Sequence, residues 1–223
     1  MNLRQSLTDT EWKDLLASGS RRSFAPGAPL MHQGDESDHV VALIQGTVKV
    51  TEATAAGQVH PVALRGSGEL LGDVGVLLEQ PRTASVWSVN RCVGHAIPAS
   101  AFRRLERRHQ LTATLLRFTL QRSMEKDRHL RSFRCDTRDV RLARLLADFA
   151  QEVGEREGRR TAIHLGMNRA ELASMLGMSR ATLHSALTSL QRRELITCRR
   201  MRIDVADVEA LTLHASQDMV DVS

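Results

Sequence analysis

Met167–Leu190, MNRAELASMLGMSRATLHSALTSL, is the stretch on which the reading of this chain turns. Asn168 followed by Glu171 is a capping box that opens a short helix, with Leu172, Ala173 and Leu176 on its inner face. Gly177 stands where the chain must turn with a positive φ, and Ser179 caps a second helix. In that helix Leu183, Ala186, Leu187 and Leu190 face inward, whereas Arg180, Ala181, His184, Ser185 and Thr188 face outward. A small residue at the crossing (Ala173), a glycine four later for the sharp turn and a branched apolar residue (Leu183) to lock the second helix together predict a helix-turn-helix. Such a motif lays its second helix in the major groove of DNA. The candidate contacts are Arg169, Ser179, Arg180, Ala181, Thr182, His184 and Ser185.

Working outward, Glu194–Arg200 and Met201–Val205 read as two strands around a tight turn, the wing of a winged helix. Arg199, Arg200 and Arg202 lie on it and suit phosphate contacts, which position a protein without reading sequence. Upstream, Asp136 or Thr137 can cap a helix whose apolar face is Val140, Leu142, Ala143, Leu145, Leu146, Phe149 and Val153, ended by Gly154 and Gly158. Before it, Leu111 to Phe133 follows a helical pattern with no Gly or Pro. Its stripe of Leu111, Leu115, Phe118 and Leu120, then Met124 and Leu130, is more than one small barrel covers. A surface helix packed on its own barrel is one reading; the one favoured is a helix paired with its twin in a homodimer, with Leu111, Leu115, Phe118, Arg122 and Glu125 at the interface. Pro98 starts a short helix from Ala99 to about Glu106.

The first half reads differently. Val40–Ile44, Thr47–Thr51, Val59–Leu64, Ala84–Val89 and Cys92–Ile97 are short β-like runs punctuated by Gln45-Gly46, Ala56-Gly57 and Gly66-Ser67-Gly68. Their spacing suggests an antiparallel barrel or sandwich. The fold class expected is therefore α+β. Its divisions are a β-roll sensor over 1–108, a dimerisation helix over 109–133 and a winged helix-turn-helix over 134–223.

Charge follows the same division. The net charge is +5, yet residues 1–97 carry −2, residues 98–133 carry +6, residues 134–202 carry +6 and residues 203–223 carry −5. A basic C-terminal half behind a slightly acidic one fits a nucleic-acid partner. With no Tyr, five Phe and two Trp, the chain is poorly equipped to stack bases on rings, which argues against an RNA or single-strand binder. Three scattered cysteines, Cys92, Cys135 and Cys198, exclude a disulfide framework and a four-cysteine cluster. Cys92 and His95 form a lone CxxH that could ligate haem iron or another metal; it is read as structural, so no metal is expected and a metal- or haem-dependent sensor is the lesser alternative. The histidines are too scattered for a cupin enzyme, and no Ser/His/Asp set or P-loop is present, so no enzyme is expected. No apolar stretch approaches the ~20 residues of a membrane helix, and no signal segment opens the chain, so the expectation is a cytoplasmic protein without a membrane partner.

These motifs together resemble the cyclic-AMP receptor protein and fumarate–nitrate reduction (Crp–Fnr) regulators of bacterial transcription. The resemblance rests on LMHQGDESDHVVALIQGTVKV, on GSGELLGDVGVLLEQPRTASVWSV and on the helix-turn-helix with its wing, and covers nearly the whole chain. It implies an antiparallel β-roll, a long dimer helix, a winged helix-turn-helix, an inverted-repeat operator, and RNA polymerase as a further partner. The second segment looks like the family's phosphate-binding cassette. It implies a cyclic nucleotide held by Gly72, Asp73, Arg82 and Thr83, with Lys126 and Asp127 where adenine is met. Asp73 stands where nucleotide-binding members carry Glu, and Lys126 and Asp127 replace hydroxyl-bearing residues. A roll that binds no ligand, with Gly72 and Arg82 holding it together, fits the same residues. Ser179, Arg180 and Thr182 match the family's SRxT, which implies guanine recognition by Arg180; Ala181 and Ser185 replace a Glu and an Arg, so the operator is expected to differ from the usual one.

Overall fold

The computed structural model describes residues 2–217, apart from the side chains of residues 125, 126, 128–135 and 217. The chain forms two compact units, Met1–Glu125 and Lys126–Ser223, and the division falls inside one long helix.

In the first unit, strands β1 (Ser20–Phe24), β8 (Cys92–Pro98), β3 (His39–Gln45) and β6 (Leu70–Leu71) form one sheet. Strands β2 (Pro29–Met31), β7 (Ser85–Ser88), β4 (Val48–Ala53) and β5 (Val59–Arg65) form the other. All pairings are antiparallel. The unbroken apolar run of β3 has a physical reason. Val41 and Leu43 pack with Leu30, Met31, Val48, Leu71, Val86 and Cys92 from the two sheets. Val40 and Ala42, on the opposite face, pack under the helices. A strand buried on both faces needs apolar residues at every position.

The helices of this unit are α1 (Leu3–Ser6), α2 (Asp9–Ala17), α3 (Asp73–Leu78), α4 (Ala99–His109) and the start of α5 (Thr112–Cys135). Leu3, Leu15, Phe102, Leu105, Leu111, Leu115 and Phe118 join Val40, Ala42 and Ile97 in one core. This corrects the expected dimer seam. Leu111, Leu115 and Phe118 are buried against their own β-roll and are not available to a second copy. Another face of α5 carries Leu116, Leu120 and Met124, which are 57%, 53% and 59% exposed. An i, i+4, i+8 stripe lies along one side of a helix, whereas Leu115 is turned about 100° away from Leu116. Arg122, also expected at the seam, turns inward to Asp73. The side chain of Glu125 lies outside the described residues.

The second unit is built round α6 (Arg138–Val153), with α7 (Arg169–Met175), α8 (Arg180–Arg192) and α9 (Val208–Gln217). The Thr137 hydroxyl accepts from the Val140 N–H at 3.5 Å, and α6 buries Val140, Leu142, Leu145, Leu146 and Phe149 around more than half of its circumference, as the central helix of the unit. Gly154 ends α6 where a Cβ would stand 2.2 Å from the Ala150 carbonyl oxygen. A four-stranded sheet in the order β11 (Ile196–Arg199), β12 (Arg202–Val205), β10 (Arg160–His164), β9 (Glu155–Glu157) completes it. The wing strands are those expected; β9 and β10 are additional, and Glu-Arg-Glu carries no apolar alternation to announce a strand. Among the described residues, no helix is long and apolar enough to cross a membrane.

Candidate functional site

The helix-turn-helix forms as the sequence dictates. Asn168 accepts from the backbone N–H of Ala170 (2.8 Å) and Glu171 (3.1 Å), and the Glu171 carboxylate accepts from the Asn168 N–H at 2.8 Å. Gly177 takes φ +60 after α7, and the Met178 N–H reaches the Ala173 carbonyl at 2.9 Å. Arg141 of α6 donates to the Leu176 carbonyl at 3.2 Å, satisfying one of the acceptors that a helix end leaves open. Ser179 accepts from the Thr182 N–H at 3.1 Å and starts α8.

On α8, Leu183, Ala186, Leu187 and Leu190 are buried. Arg180, Ala181, His184 and Ser185 are exposed, Thr182 is half-buried, and Arg169 is exposed at the start of α7. The outward face therefore presents one long cation at its N-terminal end, Arg180, with His184 one turn on. The Ser185 hydroxyl donates back to the Ala181 carbonyl at 3.1 Å, and the Ser179 hydroxyl lies 2.8 Å from that of Thr182. Neither Ala181 nor Ser185 extends a long donor, so Arg180 is the group best shaped for bidentate contact with guanine.

Arg199 and Arg200 are exposed at the wing tip. Arg202 is not free for phosphate. Its Nε donates to Asp204 at 2.5 Å and its Nη2 to Glu157 at 2.6 Å, which raises the pKa of Arg202 and lowers that of Glu157. Asp204 and Glu157 escaped the sequence reading. The signal for Asp204 was its i+2 offset from Arg202 in a strand, which puts both on one face.

In the β-roll the cassette residues come together, but they are engaged with one another. Asp73 is buried, and Arg122 Nη2 donates to both its oxygens, at 2.8 and 2.6 Å. The Arg122 guanidinium also stacks 4.5 Å from the Phe118 ring centre. Arg82 is 5% exposed; its Nη1 donates to the Gly72 carbonyl at 3.0 Å and its Nη2 to the His39 carbonyl at 2.5 Å. Gly72 has φ +80, and a Cβ there would stand 2.3 Å from Arg82 Nη1. Burial pushes the Arg82 pKa down, opposed by Asp38, Asp35 and Asp73. Asp38 is held below its ordinary value of 3.8, first by its hydrogen bond to His39. The cleft that reaches Arg82 is lined by Asp35, Glu36 and Asp38, carboxylates that repel a phosphate. Thr83 and Asp127 are exposed, and the side chain of Lys126 lies outside the described residues. As folded, the Asp73 carboxylate and the Arg82 guanidinium are both engaged within the chain, and a ligand at this site would have to compete with Arg122 and with two carbonyls.

Cys92 and His95 diverge. Residues three apart on a strand project from opposite faces. The Cys92 thiol lies buried 3.3 Å from the Thr47 carbonyl, its pKa pushed up by burial, and His95 Nδ1 meets the Leu16 carbonyl at 2.8 Å.

Comparison with known proteins follows the same two-part division. The cyclic nucleotide-binding domain family matches residues 21–109, and the Crp-like helix-turn-helix domain family matches residues 140–213. The cyclic AMP receptor protein of Thermus thermophilus is 28% identical over 196 residues, covering 86% of each chain. The CRP-like cAMP-activated global transcriptional regulator of Mycobacterium tuberculosis is 23% identical over 193 residues, again 86% of each. The structure of FixK2 from Bradyrhizobium japonicum superposes with a TM-score of 0.72 at 15% identity, over 87% of this chain and 96% of that one. A β-roll matched by the first domain family and a capped helix-turn-helix with its wing matched by the second, in this order along one chain, place it in the Crp–Fnr family of bacterial transcription regulators.

Proposed function

We propose that this regulator works as a homodimer that lays its two α8 helices in successive major grooves of an inverted-repeat operator, with Arg180 reading guanine. The observation that carries this is the outward face of α8. Its leucines are all turned inward, and one long donor stands at the exposed N-terminal end. Ser179, Thr182 and Arg169 are assigned to phosphates and backbone, His184 and Ser185 to the groove, and Arg199 and Arg200 to phosphates flanking it. The exposed stripe Leu116, Leu120 and Met124 supports the dimer. In functional terms, 1–108 is the roll, 109–133 the pairing helix and 134–223 the DNA-binding part. The setting is the cytoplasm with RNA polymerase as further partner, and no catalytic role is assigned.

The roll is assigned a structural part, because Asp73 and Arg82 are satisfied within the chain. A second reading, control by a cyclic nucleotide, is favoured by the domain family matched over 21–109. It requires the ligand to displace Arg122 from Asp73 and to pull Arg82 from two carbonyls. Selection from a random duplex pool tests the DNA reading: an enriched inverted repeat supports it, and a single unrepeated element defeats it. Thermal denaturation with cyclic AMP and cyclic GMP separates the two readings of the roll. A ligand that binds the folded state raises the midpoint according to RT ln(1 + [L]/Kd), and the structural reading expects no shift.

A further inference from the structure

One face of the C-terminal sheet is a ladder of charge. In the β11–β12 pairing Arg199 lies opposite Arg202 and Thr197 opposite Asp204, and in the β10–β12 pairing Ala162 lies opposite Asp204 and His164 opposite Arg202. Residues directly opposite share a face, as do residues two apart on one strand. Asp204 sits at the centre of this polar face and is 3% exposed. Its two oxygens serve different arginines: Oδ1 accepts from Arg202 Nε at 2.5 Å, and Oδ2 pairs with Arg199 Nε at 3.1 Å. Arg202 is held a second time by Glu157 of β9 at 2.6 Å. The Arg199 side chain is 61% exposed although its Nε is paired.

A buried carboxylate between two guanidinium groups has a definite consequence for the edge strand. Arg199 is ion-paired to Asp204 through Nε, and the exposed remainder of its guanidinium carries the donors that match a phosphate. A long side chain loses rotamer freedom when it docks, and prior anchoring reduces that cost. We propose that Asp204 is a positioning residue of the DNA interface, holding Arg199 at the edge of the sheet so that its outer donors meet a phosphate already ordered. Arg202 and Glu157 hold Asp204 in turn. This rests on the reading that the wing touches phosphate.

The sign of the effect makes it testable. By charge alone, removing a carboxylate near DNA tightens binding; by positioning, it weakens it. Asn keeps the shape of Asp204 but has one acceptor oxygen for two arginines. The full-length protein is titrated onto a random-sequence duplex over a range of salt, as wild type, Asp204→Asn, Arg199→Ala, the double variant and Arg200→Ala. Positioning predicts that Asp204→Asn binds about three- to tenfold more weakly, the loss of one pre-ordered contact. It also predicts that Arg199→Ala costs little further in that background. Arg200→Ala, at the exposed turn, keeps its full effect in the Asp204→Asn background, which shows the wing still folded. Unchanged or tighter binding by Asp204→Asn, with Arg199→Ala still costly, overturns the positioning role alone. An Arg199→Ala protein with unchanged affinity and salt slope overturns the wing reading and the positioning role with it.

Discussion

At the scale of single residues, the two arginines that matter most face opposite fates. Arg180 stands exposed at the start of α8, and Arg82 is buried with its donors committed to the Gly72 and His39 carbonyls. Arg180→Ala should cost about 1–3 kcal/mol per subunit on the operator and relax discrimination at one base of each half-site. Affinities for every single-base operator variant check this, and identical base preferences in the two proteins would remove Arg180 as the reader. Arg82→Ala should instead lower stability by about 1–3 kcal/mol, because it leaves two half-buried carbonyls without their donor. Chemical denaturation measures it; a variant as stable as wild type would show that the guanidinium is not needed by the fold and is held in reserve for a ligand. Sequence distinguished Arg180 readily, since outward helix positions follow from periodicity. It left Arg82 open, since the carbonyls that satisfy it lie 10 and 43 residues away.

At the scale of elements, α5 has two apolar faces with two employments. Leu115 and Phe118 belong to the core of the roll, and Leu116, Leu120 and Met124 stand exposed. Replacing Leu115 by Ala should destabilise the protein by about 2–5 kcal/mol while leaving the surviving folded molecules dimeric. Replacing Leu116 and Leu120 by Glu should leave the thermal midpoint of the roll nearly unchanged and yield monomers. Sedimentation at micromolar concentration, beside denaturation of each variant, separates the two faces. If the charged variant still sediments as a dimer, the pairing surface is elsewhere. The helical period of this element was legible from the absence of Gly and Pro. Which face met the roll was not, because Leu, Phe and Met on either side look alike in sequence.

At the scale of the whole molecule, a two-fold dimer with one α8 per subunit needs half-sites about one helical turn apart, ~34 Å centre to centre. Inserting about 5 base pairs, half a turn, between the half-sites should turn one of them to the far side of the duplex. Affinity should then fall toward the non-specific level, a loss of about a thousandfold or more at physiological salt. Inserting a full turn should restore the facing and part of the affinity. Equal binding to all three spacings in a gel-shift assay would show that the recognition helices do not act as a rigid pair.

The sequence by itself determined whatever depends on neighbours along the chain. The capping box at Asn168, the turn at Gly177, the cap at Ser179 and the outward row from Arg180 to Ser185 are local rules of dihedral freedom and hydrogen bonding, and the structure follows each of them. The short β-like runs of β3, β4, β5, β7 and β8, bounded by glycine turns, were legible for the same reason. Only the tertiary structure decided the charged pairings, because a guanidinium reaches across the fold to whichever acceptor packing leaves nearest. Arg122 to Asp73 spans 49 residues, and Arg202 to Glu157 spans 45. Those pairings turn an apparent ligand cassette into an internally satisfied one and set an acid, Asp204, behind the basic edge of the wing. Burial makes each partner depend on the other, and burial is a property of the assembled sheets and helices.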